Sequence, residues 1–209
     1  QMQPGTTFTA LWKANTYVVS FNPIGGAGGQ SDAVMATYGS AMPTISATPP
    51  KRDGYTFLCW YDDADYTKGE QYYTAAGASA RKYDKASTTA LYAGWSKWPS
   101  MSLDANGGFF KIVNSSTGEV VAQDQTSWTT DFAPSAAVYP GVVHYWRDGY
   151  LFVVYVGRPG YTIQGWTGSR PVNSSTGVVS VRNGESYKAD WKASPYTIAF
   201  DTQCDLDVA

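Results

Sequence analysis

One seven-residue phrase occurs twice in this chain, and it constrains the fold more than any other feature. Gly54-Tyr55-Thr56-Phe57-Leu58-Cys59-Trp60 and Gly160-Tyr161-Thr162-Ile163-Gln164-Gly165-Trp166 share G-Y-T and the closing W. Each copy follows a basic, turn-forming stretch, Pro50-Lys51-Arg52-Asp53 or Gly157-Arg158-Pro159. Upstream, Ser20-Phe21-Asn22-Pro23-Ile24-Gly25-Gly26 matches Ser102-Leu103-Asp104-Ala105-Asn106-Gly107-Gly108, a strand running into a Gly-Gly turn. Downstream, a strand closes on tryptophan at Trp12, Trp95 and Trp191, at intervals of 83 and 96 residues. Those periods are domain-sized, longer than solenoid repeats. The constant order parses the chain into the tail of one unit (1–15), a complete unit (16–97), a second, enlarged unit (98–193) and the start of another (194–209). The opening Gln1-Met2-Gln3-Pro4 is not a signal peptide, so both ends are expected to be cuts in a longer protein.

Composition selects strands for these units. The chain has 17 Val and 21 Thr against 6 Leu, with 16 Tyr, 8 Trp and 8 Phe, and β-branched and aromatic side chains suit a pleated, half-buried surface. The reading is a mostly β fold of small β-rich repeats, strung like beads, with at most one short helix per repeat. Only 15% of residues are charged, 15 basic against 17 acidic, so no broad positive field awaits a phosphate backbone and nucleic acid is not an expected partner. The longest apolar candidate, Tyr150 to Gly157, is far short of a spanning helix, and no membrane insertion is expected in this stretch.

The series strand, Gly-Gly turn, Tyr38-Gly39-Ser40, Gly54-Tyr55-Thr56-Phe57, Trp60-Tyr61 and Leu91-Tyr92-Ala93-Gly94-Trp95 resembles the InlB B-repeat, or Listeria–Bacteroides repeat, of bacterial surface proteins. The second unit keeps Asp104-Ala105-Asn106-Gly107-Gly108, Gly160-Tyr161-Thr162-Ile163, Gly165-Trp166 and Trp191 but has no clear Y-G-S. The resemblance implies a β-grasp-like, ubiquitin-like domain in tandem on an extracellular protein, at the bacterial surface or secreted. It brings no catalytic residues with it.

The residues of one unit support strands directly. Tyr17, Val19 and Phe21 alternate with Val18 and Ser20, giving a strand with one buried face. Asp32 to Tyr38 is read as strand despite its short helix-compatible composition. Tyr55, Phe57 and Cys59 are expected on one face of the central strand, with Thr56, Leu58 and Trp60 on the other. The one plausible helix lies within Tyr72 to Lys85, where alanines favour it and Gly77 weakens it. In the second unit the stretch Val172 to Val179 reads as a hairpin. The repeated tryptophans are read as packing in preference to ligand platforms.

Enzymatic constellations are scarce, and the chain is not expected to be an enzyme or to carry a cofactor. His144 is the one histidine, in an alternating apolar run without a nucleophile motif, and a strand or packing role outweighs a catalytic one. No zinc ligand set exists. Asp62, Asp63 and Asp65 superficially resemble a calcium loop, but such clusters also initiate turns. Gly25 to Gly29 lacks the Lys-Ser/Thr of a phosphate loop. Asn114-Ser115-Ser116 and Asn173-Ser174-Ser175 fit a glycosylation sequon yet read as turns. Cys59 and Cys204 are expected free and apolar, with a bridge between them the lesser alternative. An isopeptide crosslink is chemically open, but nothing local identifies its residues.

The second unit departs most from the pattern. Gly26 to Gly54 spans 28 residues where Gly108 to Gly160 spans 52, so about two dozen residues are added before the central strand. They contribute to two hairpin patterns, Phe110–Val113 with Val120–Gln123 and Val142–Trp146 with Tyr150–Val156. Tyr145, Trp146, Tyr150, Phe152 and Tyr155 load the second hairpin with aromatic area, a candidate surface for a host protein or glycan. Extra core and a rigid contact with the neighbouring unit is the plainer reading. The expected role is a non-catalytic, semi-rigid spacer partnered by neighbouring repeats, with Lys97-Trp98-Pro99-Ser100 and Lys192-Ala193-Ser194-Pro195 as stiff joints.

Overall fold

The computed structural model describes residue 7 and residues 9–196, and within them every regular element is a strand. The chain divides into two units, Gln1–Trp98 and Pro99–Ala209. The readings for Cys204 and for the repeat start beyond Tyr196 lie outside the described residues, as does that for Phe8.

In the first unit β1 (Thr16–Asn22), β2 (Val34–Thr37), β3 (Tyr55–Tyr61), β4 (Gln71–Tyr73) and β5 (Thr89–Lys97) form one sheet, ordered β2-β1-β5-β3-β4. The first and last strands run parallel at its centre, and every other pairing is antiparallel. Val19 is wholly buried while its neighbour Val18 is 40% exposed, the one-sided strand that alternation requires. Val19, Leu91, Ala93, Trp95 and Trp60 make the sheet's contribution to the core, and Met42, Ile45 and Tyr83 from the connections close it.

Three sequence-based expectations fail in this unit. No strand closes on Trp12: residues 9–15 form no regular element and Trp12 is 93% exposed, because no partner strand or core among the described residues lies against it. No helix forms within Tyr72 to Lys85. After β4 the chain reverses through Thr74–Ala78, with the Gly77 N–H donating to Thr74 O at 3.0 Å and Ala80 N–H to Tyr72 O at 2.9 Å. Gly77 has φ +77, outside the helical region, and a Cβ there would stand 2.7 Å from Ser46 O. Tyr72, Tyr73 and Tyr83 are wholly buried, and burying aromatic side chains outweighs the tenths of a kcal/mol per residue that alanine propensity offers. The face assignment in β3 also changes. Phe57 pairs with Trp95 and Trp60 with Ala93, so three steps along β3 match two along β5. This bulge turns Trp60 onto the face of Phe57, where their ring centroids are 5.5 Å apart.

The second unit comprises β6 (Ser100–Asp104), β7 (Phe109–Asn114), β8 (Val120–Gln125), β9 (Ser127–Asp131), β10 (Ala136–Tyr139), β11 (Val142–Arg147), β12 (Tyr150–Gly157), β13 (Tyr161–Gly168), β14 (Val172–Asn173), β15 (Val179–Ser180) and β16 (Glu185–Ala193). Five of them repeat the first unit's sheet in the order β14-β13-β16-β6-β9, again with the first and last strands, β6 and β16, parallel at the centre. The bulge recurs as well: Ile163 pairs with Trp191 and Trp166 with Ala189.

The other six strands form a second sheet, β15-β10-β11-β12-β7-β8. The chain leaves the first sheet three times to build it, through β7–β8, β10–β12 and β15. Met101, Leu103, Trp166 and Tyr187 from one sheet share a core with Phe110, Ile112, Val138, Val143 and Val154 from the other. Connections cover the first unit's sheet, whereas a second sheet covers this one. Both hairpins read from the sequence are present, with Ile112 opposite Ala122 and His144 opposite Val153. The third, over Val172–Val179, is not a hairpin. Its turn exists, closed by Gly177 N–H to Asn173 O at 2.9 Å, but β14 joins β13 and β15 joins β10. A two-stranded hairpin is marginal alone, so each short flank extends the edge of a sheet already formed.

Candidate functional site

The residues that recur in both units build one internal cluster. In the first unit the Asn22 carboxamide oxygen accepts the Ile24 N–H at 2.9 Å, and Ile24 and Gly25 both take positive φ. In the second, Asp104 does the same for Asn106 at 2.7 Å, with Asn106 and Gly107 at positive φ. The next glycine admits the closing tryptophan: a Cβ on Gly26 would lie 2.5 Å from the Trp95 ring, and one on Gly108 2.8 Å from that of Trp191. Each indole N–H donates to the turn, Trp95 to Pro23 O and Trp191 to Ala105 O, both at 2.9 Å.

The basic residue ahead of G-Y-T completes the cluster. The guanidinium of Arg52 lies 3.9 Å from the Tyr55 ring centroid and that of Arg158 3.8 Å from Tyr161, each beside the first glycine of its turn. Arg158 also donates to Asn106 O at 3.2 Å. The recurrent phrase therefore locks the ends of the parallel pair in each unit. Sequence reading had all these residues but not their convergence; their recurrence together in both units was the available signal.

The aromatic candidates of the second unit divide between two faces. Tyr145 and Phe152 are opposite one another in the β11–β12 ladder and turn inward, their rings stacked at 5.1 Å and 12°. Tyr145 is buried, and burial raises its hydroxyl pKa. Trp146 and Tyr155 point to the outer face and are half exposed, and Tyr150 is exposed at the hairpin turn. The outer face holds two concavities. One, of ≈ 230 Å³, is lined by Tyr139, His144, Trp146 and Leu151. The other, of ≈ 490 Å³, lies between Phe109 and Tyr155 with Lys111, Asp124 and Arg158 around it. Phe109 was not singled out from sequence, because only the pairing of β7 with β12 brings it beside Tyr155.

The remaining candidates are occupied by the fold. Asp62 accepts the Glu70 N–H at 2.6 Å and pairs with Lys85 at 2.8 Å; Asp63 accepts the Asp65 N–H at 2.8 Å. Asp65 pairs with Lys68 and accepts the Thr67 hydroxyl, which together hold its carboxyl down at about 2. Among the described residues no group of three or more His, Cys, Asp or Glu is placed to hold a metal ion. His144 packs its ring 4.7 Å from Tyr139. Asn114 and Asn173 each cap their own turn, accepting the N–H groups two and three residues on. Cys59 is a free, half-buried thiol. Among the described residues no helix is long and apolar enough to cross a membrane.

Comparison with known proteins agrees with the first unit's pattern. The family model of the Listeria-Bacteroides repeat domain matches residues 17–94. A putative membrane protein of Evansella cellulosilytica is 33% identical over 103 residues, covering 49% of this chain and 14% of that protein. A putative Gly-rich membrane protein of the same organism is 30% identical over 142 residues, 63% of this chain and 14% of the relative. The chain thus spans a small part of the relatives it matches. No solved structure matches it.

Proposed function

We propose, from the premise that residues 17–94 are a Listeria-Bacteroides repeat domain, that this chain is a non-catalytic repeat region of an extended bacterial surface or secreted protein, acting as a semi-rigid spacer. The observation that carries the reading is the doubled cluster: both units spend their recurrent residues on the same turn, arginine and tryptophan lock and build the same five-stranded order. The central parallel first and last strands support reading each unit as β-grasp-like. The second unit is then an enlarged repeat. Only Trp98 and Pro99 lie between β5 and β6, a connection without a flexible Gly/Ser run. The relatives' names as putative membrane proteins support a role in a membrane-associated protein.

Small-angle X-ray scattering tests the spacer. One globule of this length has a radius of gyration near ~17 Å; a spacer gives a clearly larger value with an elongated profile, and a value at the globule figure refutes the reading.

A second reading has its own observation. The added sheet of the second unit presents Trp146 and Tyr155 outward, half exposed, beside two concavities. We infer that this unit also recognises a ligand, a host protein or a glycan. Substituting Trp146 or Tyr155 by Ala separates the cases: lost binding at unchanged melting temperature supports recognition, and lost stability supports packing.

A further inference from the structure

We propose that the groove between Phe109 and Tyr155, on the outer face of the six-stranded sheet, binds a glycan chain. This rests on the second reading above and names its site and ligand class. In the β7–β12 ladder Phe109 stands opposite Gly157 and Tyr155 opposite Lys111, so the two rings are diagonal neighbours two residues apart on one face. They are 46% and 52% exposed, too much for rings recruited to a core. The open groove has a volume of ≈ 490 Å³.

Gly157 is the most telling residue. It ends a strand without positive φ, and a Cβ added there would meet nothing within 4 Å. Neither backbone conformation nor crowding calls for glycine, and a strand position ordinarily prefers a β-branched or aromatic residue. What the missing side chain does is leave the groove floor open between the two rings.

The chemistry of the walls selects the ligand. A pyranose offers a C–H face that lies flat on an aromatic ring and a rim of hydroxyls that both donate and accept. Phe109 and Tyr155 supply the platforms, while Lys111, Gln123 and Asp124 bring an ammonium, an amide and a carboxylate on exposed residues at the rim. Arg158 is held against Tyr161 and Asn106, giving the groove a fixed wall. A peptide strand would need free backbone groups at a sheet edge. β7 and β12, which form the groove floor, are interior strands with paired backbones and offer none there; the sheet edge at β8 borders only the rim.

The test is affinity electrophoresis of the whole chain in native gels containing hydroxyethyl cellulose, xylan, glucomannan, glycol chitin or solubilised peptidoglycan glycan strands. The expected result is retardation by at least one of them, weakened about tenfold by Phe109→Ala, Tyr155→Ala and Gly157→Val. Gly157→Val fills the floor without removing a contact and is expected to leave the melting temperature unchanged or higher, so its loss of binding cannot be ascribed to unfolding. Retardation that survives Gly157→Val but is lost in Trp146→Ala overturns the groove while keeping a binding role for the unit. Retardation by none of the glycans overturns the glycan proposal, and capture of a protein partner dependent on Trp146 would then carry the second reading alone.

Discussion

Replacing Trp95 by phenylalanine should destabilise the first unit by about 2–4 kcal/mol and leave the second unit's unfolding where it was. The indole is 7% exposed, donates to Pro23 O at 2.9 Å and meets the Phe57 ring at 5.5 Å between centroids. Phenylalanine puts one aromatic ring in the site but loses the N–H and the outer-ring atoms that lie against Gly26. Leaving the Pro23 carbonyl unpartnered costs about 1–3 kcal/mol. The vacated ring volume adds about 1 kcal/mol of lost burial, more if the turn cannot close over it. At about 4–8 °C per kcal/mol for a unit of this size, the melting temperature should fall by about 8–32 °C. Scanning calorimetry reads it, with Trp191→Phe as the counterpart for the second unit. Trp12 is the control. It is a closing tryptophan by sequence but 93% exposed, so Trp12→Phe should change stability by less than about 0.5 kcal/mol. A Trp95→Phe shift below about 3 °C, or one matched by Trp12→Phe, would show that the indole lock is not what holds the turn.

Three further outcomes follow from the same geometry. Tyr145→Ala and Phe152→Ala should each cost about 3–5 kcal/mol in thermal or urea unfolding, whereas Trp146→Ala and Tyr150→Ala should stay within about 1 kcal/mol; equal losses at all four would erase the division between faces. Gly77→Ala should destabilise the first unit by about 2 kcal/mol because of its positive φ and the close Ser46 carbonyl, where a helix at that position would instead be stabilised by about 1 kcal/mol. Glu185, bidentate to Arg170 at 2.7 and 2.8 Å and also accepting from Tyr187 and the Arg182 N–H, has its carboxyl held down at about 2 from 4.5. Because the folded pKa lies below the unfolded one, its contribution is complete above about pH 4.5 and is lost as pH falls toward 2, amounting to about 1 kcal/mol once solvent screening of this surface pair is counted. Acid unfolding of Glu185→Gln should lack that slope, and an unchanged acid profile would count against the ion pair.

The strands themselves were legible in the residues. Alternation at Tyr17, Val19 and Phe21 gave β1, and the Asn-Ser-Ser-Thr-Gly turns were correctly placed because an Asn carboxamide caps the next N–H groups whatever surrounds it. The adjacent hairpins β7–β8 and β11–β12 were read correctly, and the readings that depended on sequence-distant partners failed. Strict alternation put Phe57 and Trp60 on opposite faces, and only the pairing with β5 introduces the bulge that reunites them. Local propensity favoured a helix over Tyr72–Lys85, and only the core could demand three buried tyrosines there. Of the five aromatic candidates, alternation separates Tyr145 from Trp146, but which face is inward depends on the sheet packed beneath.

What the sequence determined by itself is the repeated unit and its chemistry: the turn glycines, the capping Asn or Asp, the arginine and the tryptophan act through near neighbours or recur often enough to be recognised. What only the tertiary structure decided is how distant segments combine. The six-stranded sheet is gathered from three separate excursions of the chain, and Phe109, Tyr155 and Gly157 become one groove through pairing across more than forty residues. Strand pairing is a contest among non-local partners for the same backbone donors and acceptors, and it is settled by which arrangement buries the most apolar surface with every ladder bond satisfied.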